Sequence, residues 1–363
     1  MRESLERVSS TGGRRLEQGC DPRLKRVSWN PMMPDRYAGE PFSRGPMKRR
    51  IWLILCWLML PLPLTAQTPA SRPKITGVSH IAVYSTDPIK TADFYERIVG
   101  CEKMADFEDH PGVRYTINTN QYVEVMPLPA TAGTDRLDHI AFQTSNAEAM
   151  RRYLQAHGVP VPNQISVSTG AEKIKWVEVK DFEGNRVQFI EESRTSALSP
   201  MAPNSKLVGH HIIHLGMIIR NRSEADSFYR DVLGFHLYWH GGVDPEKTDW
   251  VSMQVPDGTD WLEYMLTSGP SGSGIPPVMT QRATGVLNHF SVGVPSMAAA
   301  VAALKNENRV GPRSNGPRIG RDGKWQFNDF DPDETRLEYM EFTPVQEPCC
   351  APFAGPHPSA TGN

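Results

Sequence analysis

"HIAVYSTDPIKTADFYERIVGC" (residues 80–101) and "HLGMIIRNRSEADSFYRDVLGF" (residues 214–235) decide the fold. Each starts at a histidine in an apolar, strand-like run and reaches a Phe-Tyr pair fourteen residues later. His80 leads to Phe94-Tyr95, and His214 leads to Phe228-Tyr229. In the first stretch the Asp-Pro start and Gly stop predict a helix of about three turns. "VRYTIN" and "QYVEVMP" follow it as two alternating runs, a hairpin pattern. The unit is therefore a strand, a helix and two or three further strands.

The unit recurs. A second copy begins at "LDHIAFQTS", carries the helix "AEAMRRYLQAHG" and closes with "IKWVEVKDFEGNRVQFIEE". A third runs from "IIHLGMII" to "DWVSMQVPDGTDWLEYML", and a fourth from "LNHFSVGV" through "SMAAAVAALKNE" to "GKWQFNDFDPDETRLEYMEF". The stretch "SRTSALSPMAPNSK" between copies two and three has the composition of a linker. Two domains of two units are expected, at 74–193 and 207–343, with 194–206 as the linker and 344–363 as a disordered tail.

Each unit offers a histidine on its first strand and Glu or Gln on its last. His139 to Gln188, His214 to Glu263 and His289 to Glu338 each span 49 residues, and His80 to Glu124 spans 44. A lone histidine on an apolar strand is ordinarily a satisfied core residue, and a Glu between aromatics usually faces solvent. The joint register in four units is what raises these positions above that reading. Residues on rigid inward strand positions from two facing units can meet at one point. In the C-terminal half that set is His214, Glu263, His289 and Glu338. In the N-terminal half it is His80, Glu124, His139 and Gln188, the weaker set because an amide lacks a carboxylate's charge. Two imidazoles with two carboxylates suit Zn, Fe(II), Mn, Co or Ni.

Other residues read more plainly. Phe94, Tyr95, Phe228 and Tyr229 are expected in the core, and "DFEG" and "DPDE" as turns that set the register of the last strand. His210, His211 and His240 are read as surface residues, with His211 or His240 as the candidates to line a pocket. Arg186 and Arg336 stand two residues before Gln188 and Glu338 and should share their face, either binding an anionic substrate or forming a rim ion pair.

The chain of 363 residues is 39% hydrophobic and 22% charged, the composition of a globular protein. Its cysteines (Cys20, Cys56, Cys101, Cys349 and Cys350) show no zinc spacing, and the adjacent pair in the tail reads as a loose end. "MKRRIWLILCWLMLPLPLTAQ" has the basic start, short apolar run and small residues of a secretory signal at 47–66. Fourteen apolar residues broken by Pro61 and Pro63 fall short of the ~20 a membrane span needs. Met47 is expected as the start, with 1–46 untranslated or disordered, and the mature protein as secreted or periplasmic, without stable membrane insertion. Residues 1–50 hold 12 Lys+Arg and 6 Asp+Glu, a net of +6, so the rest carries −2 − 6 = −8. That acidic body gives no reason to expect a nucleic-acid partner; a small-molecule substrate is expected instead.

The repeat resembles the vicinal oxygen chelate superfamily, which includes glyoxalase I, extradiol dioxygenases and bleomycin-resistance proteins. The resemblance covers roughly 74–343 and rests on the two opening stretches and on "DFDPDETRLEYMEF". It implies an α+β fold of four βαβββ modules, paired into two glyoxalase-like half-barrel domains, each around a divalent metal. Three functions follow from it. A glyoxalase-like isomerase or lyase would use Glu263 or Glu338 as a base that moves a proton. An extradiol dioxygenase would hold iron with His214, His289 and Glu338. It would also call for an upstream histidine and tyrosine where this chain has "RIGRDGKWQFNDFDPDE", with Asn328 at the tyrosine's place and Glu334 at a turn glycine. A non-catalytic, resistance-type protein would only bind a small molecule.

Overall fold

The computed structural model describes residues 71–108, 111–169, 173–191, 206–266 and 279–360. The signal-like run, the segment before it and all but the last residue of the linker lie outside these. Module one is β1 (Ile75–Ser85), α1 (Pro88–Ala92), β2 (Glu102–Ala105), β3 (Val113–Thr116) and β4 (Tyr122–Pro127). Module two is β5 (Leu137–Thr144), α2 (Ala147–Ala156), β6 (Ser166–Val167), β7 (Lys175–Lys180) and β8 (Arg186–Glu191). Module three is β9 (His211–Ile219), α3 (Arg222–Ala225), β10 (His236–Gly241), β11 (Trp250–Gln254) and β12 (Trp261–Leu266). A connecting helix, α4 (Gln281–Leu287), leads to β13 (His289–Val294), α5 (Met297–Asn306), β14 (Asn315–Ile319), β15 (Trp325–Phe330) and β16 (Arg336–Glu341).

Local chemistry explains each module's helix. Asp87, Asn146, Asn221 and Ser296 each cap the first turn by accepting a backbone N–H, and Pro88 follows Asp87 as the first helical residue. The first helix widens into π-type turns over Asp93–Val99 and stops at Gly100, whose φ of 95° only glycine adopts cheaply. The third helix widens in the same way over Asp226–Val232.

The expected fold class is found: modules pair into two curled eight-stranded sheets, β2-β3-β4-β1-β5-β8-β7-β6 and β10-β11-β12-β9-β13-β16-β15-β14. In each sheet the first strands of the two modules lie antiparallel at the centre, and each is flanked by its own module's last strand in parallel. The registers coincide between sheets. Ala82 opposes Glu124 and His139, as Gly216 opposes Glu263 and His289. This arrangement sets the four module positions of each domain side by side at the sheet centre.

One buried core, including Phe94, Phe142, Phe228 and Phe290, runs through both sheets. The closing turns do more than fix register, because each binds the other domain. Tyr95 donates to Asp331 at 3.2 Å, and Tyr229 donates to Asp181 at 3.1 Å. Asp333 likewise takes Arg136 at 3.1 Å and the Thr86 N–H at 2.8 Å. Burial pushes the Asp331 carboxyl from its usual 3.8 up to about 7. Its folded pKa is thus raised, so the stability it contributes is fully present below about pH 4 and is lost as pH rises through about 7. Asp331→Asn should flatten the fall in stability across that window, by up to roughly 4 kcal/mol at ~1.4 kcal/mol per pH unit. Urea midpoints of both proteins at pH 5 and pH 8 check this; parallel profiles would refute it.

Three expectations are corrected. The tail is docked over residues 344–360: Ala354 donates to Tyr238 O at 2.8 Å, Gln254 donates to Pro356 O at 2.9 Å, and Phe353 packs on Tyr238. Its Pro/Gly composition forbids regular elements without preventing anchorage by Phe353 and His357. Within it Cys349 and Cys350 are joined to each other rather than loose. His211 is buried, not on the surface, with Nε2 at 2.8 Å from Asp260 and Nδ1 at 2.7 Å from the Ser359 carbonyl.

Candidate metal centres

At the centre of the C-terminal sheet, His214 on β9 and His289 on β13 turn their Nε2 atoms toward each other at 3.1 Å. Glu263 on β12 reaches His289 Nε2 at 3.5 Å, and Glu338 on β16 reaches His214 Nε2 at 3.4 Å. Two donors each ~2.1 Å from one ion lie ~3.0 Å apart at a right angle and ~3.4 Å apart at a tetrahedral one. The separations of His289 Nε2 from His214 Nε2 and from Glu263 are close to those of ligands sharing one centre. His214, Glu263 and His289 form a group whose donor atoms all lie within 4.8 Å of one another, and Glu338 stands at its edge.

Gly216 makes room for this. A Cβ there would fall 1.9 Å from His289 Cε1, so the imidazole occupies the space a side chain would take. The His289 Nδ1–H donates to the Leu287 carbonyl at 2.8 Å, which leaves Nε2 as the lone-pair nitrogen, the form that ligates. His214 stacks on Trp261 with ring centroids 4.7 Å apart. Burial holds both imidazoles well below their usual pKa, so they are neutral at pH 7. Burial, reinforced by the Glu338 charge, pushes the Glu263 carboxyl up to about 8. Burial also raises Glu338. A cation at this point favours the deprotonated carboxylates, so its binding releases protons.

Arg336 shares the face of Glu338, as its spacing predicts. Its Nη2 lies 2.7 Å from His289 Nε2, and its Nη1 lies 3.5 Å from Glu338. An ion on His289 therefore has to displace that guanidinium contact. Glu263, Arg336 and Glu338 open onto a cavity of about 440 Å³ that Arg318, Arg321, Trp239 and Trp250 also line. A second cavity of about 450 Å³ lies over β2–β4 and contains none of the cluster residues. Behind Trp261 a wholly buried Lys324 places Nζ 4.8 Å from that indole ring and 3.1 Å from Tyr238 Oη. Burial drops its pKa to about 8. Nothing in its local sequence, "DGKWQF", marks Lys324 as interior.

The N-terminal sheet repeats the pair. His80 Nε2 and His139 Nε2 lie 2.9 Å apart, with Glu124 Oε2 at 3.6 and 3.7 Å from them. Gln188 shares their face, and its Oε1 is buried without a hydrogen-bond partner. Its amide nitrogen donates to Glu108 at 3.0 Å, and it is Glu108, in the loop after β2, that joins His80, Glu124 and His139 within 4.8 Å. Sequence spacing missed Glu108 because a loop has no register to count along. Arg186, expected beside Gln188, is taken up by Asp138 and Glu178. His240 is half-buried on β10 and does not line the cavity described above.

Paired βαβββ modules with a buried His/Glu cluster at the centre of each sheet define the metal-chelating scaffold that the repeat implied. The chain belongs to the Glyoxalase/Bleomycin resistance protein/Dioxygenase superfamily, whose family model matches residues 77–189 and 211–339. No curated protein matches the chain. Among solved structures it is similar to the 2,3-dioxygenase LapB from Pseudomonas sp. KL28, at 17% identity and TM-score 0.55 over 80% of this chain and 96% of that one. A variant of homoprotocatechuate 2,3-dioxygenase from B. fuscum is similar at 16% identity and TM-score 0.54, over 79% and 76% of the two chains. A catechol 2,3-dioxygenase is similar at 16% identity and TM-score 0.54, over 76% and 92%. At these identities the likeness is one of fold.

Proposed function

We propose that this protein is a metal-dependent enzyme whose C-terminal domain moves a proton on a small anionic substrate bearing two adjacent oxygens. That is isomerase or lyase chemistry of the glyoxalase sort. The observation that carries the reading is the pair of carboxylates, Glu263 and Glu338, flanking two buried neutral imidazoles beside an arginine-lined cavity. His214, His289 and Glu263 would hold the ion, which supplies positive charge against the negative charge developing on the substrate oxygens. The chain's own residues do the rest. Arg318 and Arg321 attract the substrate's anionic group, and Trp239 and Trp250 wall it from water. Glu338, outside the tight donor group but against it, receives the proton from carbon and returns it.

Extradiol ring cleavage is the second reading, favoured by the four-module fold shared with the dioxygenases above and by the two cavity indoles. Against it stands Asn328, which accepts from Arg336 at 3.4 Å at the place where the resemblance asks for a tyrosine. Protein loaded separately with Zn, Ni, Mn or Fe(II) separates the two. Turnover of 2-hydroxy or 2-oxo acids and thiol adducts of 2-oxoaldehydes without oxygen uptake is the expected result. Oxygen consumption with carboxylated catechols, seen only with Fe(II), would replace it with the second reading.

A further inference from the structure

We propose that the N-terminal domain holds a second divalent metal ion on His80, Glu108, Glu124 and His139, and that this site is the tighter of the two. Its ligand set departs from the strand positions of the repeat, since the fourth donor comes from the loop after β2.

The geometry is that of a ligand sphere. The imidazole nitrogens stand 2.9 Å apart and the Glu124 oxygen 3.6 and 3.7 Å from them, close to the ~3.0–3.4 Å expected for neighbouring ligands of one ion. His139 Nδ1 lies 2.7 Å from the Asp138 carboxylate, which can only accept, so the proton sits on Nδ1 and the Nε2 lone pair points into the cluster. A carboxylate behind a histidine is the outer-shell arrangement that orients metal-ligating imidazoles and raises their basicity. Gln188 fits the same scheme: its amide nitrogen donates to Glu108 Oε2 at 3.0 Å and so orients that carboxylate, while its buried Oε1 has no hydrogen-bond partner.

Comparison with the C-terminal centre identifies the stronger site. His139 is in register with Arg186, as His289 is with Arg336. Arg186 is engaged by Asp138 and, through two hydrogen bonds at 2.9 and 2.6 Å, by Glu178. The positions equivalent to Asp138 and Glu178 are Asn288 and Asn328, neutral amides that leave Arg336 to contact His289 Nε2 at 2.7 Å. In the C-terminal domain a guanidinium occupies a ligand nitrogen. In the N-terminal domain two carboxylates hold the corresponding guanidinium aside. The difference lies in two residue pairs, Asp138 for Asn288 and Glu178 for Asn328, and in Glu108, which has no C-terminal counterpart in the donor group.

The test is a titration of chelator-treated full-length protein with Co(II), read by its visible absorption and by metal per chain after gel filtration. Wild type should bind two equivalents in separable phases. The paired variant His80→Ala, His139→Ala should lose the first, tighter phase and keep the second. Asp138→Asn, which removes the outer-shell partner of His139, should weaken the first phase by about tenfold or more, outer-shell losses being ~10–100-fold, and Glu108→Gln, which removes a ligand carboxylate, should weaken it at least as much. Circular dichroism confirms that each variant is folded. A single equivalent that survives the His80, His139 pair, or a first phase insensitive to Glu108→Gln, would overturn the proposal. A single equivalent lost with that pair would keep it and remove only the C-terminal ion, so the two sites succeed or fail separately.

Discussion

Glu338→Gln should lower kcat by ~10²–10⁴, the range for loss of a positioned acid–base group, while leaving metal content unchanged. Glu263→Gln should fail differently, by loss of the C-terminal ion. The reason is placement. Glu263 belongs to the donor group within 4.8 Å with His214 and His289, whereas Glu338 lies at its edge, 3.4 Å from His214 and tethered to Arg336. A ligand carboxylate contributes charge that an amide lacks, so its loss shows as metal released. A proton carrier contributes a titratable oxygen, so its loss shows in turnover with the ion still bound. Metal per chain and kcat, measured on the same preparations, give the answer. If Glu338→Gln releases the ion and Glu263→Gln does not, the two roles are exchanged. If both variants keep full turnover, proton transfer by either carboxylate is excluded.

The fold was legible because the repeat is periodic in both strand register and helix capping. Counting 49 residues from His214 to Glu263 and from His289 to Glu338 found four side chains that the sheet does bring together. The same count placed Gln188 on its strand beside the cluster but could not find Glu108, which arrives from a loop whose course depends on packing. Lys324 and the tail were illegible for a related reason. Lysine in a polar stretch ordinarily faces water, and only the aromatic walls of Trp261, Tyr238 and Phe353, brought from separate segments, make its place interior. His211 looked like one of two histidines before a strand, and its burial against Asp260 and the tail is a tertiary fact. Arg336 was placed on the right face, yet its contact with His289 rather than with a rim acid depends on Asn288 and Asn328, neighbours that no spacing rule singles out.

Replacing both His214 and His289 with alanine should abolish turnover and remove one metal equivalent, the C-terminal one. Several kcal/mol of charge stabilisation disappear with the ion, and ~4 kcal/mol already corresponds to ~10³ in rate. The fold should survive, because these imidazoles are neutral and contribute packing rather than a buried charge pair. His214 stacks on Trp261, and its removal opens a void beside that indole; a stability loss of ~2–5 kcal/mol is the scale for truncating large buried side chains. Arg336 loses its His289 partner but keeps Glu338 and Asn328, so no bare guanidinium is left in the sheet centre. Thermal unfolding should therefore remain a single cooperative transition at lower temperature, with the N-terminal equivalent still weakened by Glu108→Gln in the same background. Two equivalents retained by the double variant would show that neither histidine is a ligand and would take the proposed chemistry away from this domain. No metal in either protein, after anaerobic purification with Fe(II), Zn and Mn supplied, would leave an arginine-lined cavity whose work is binding alone.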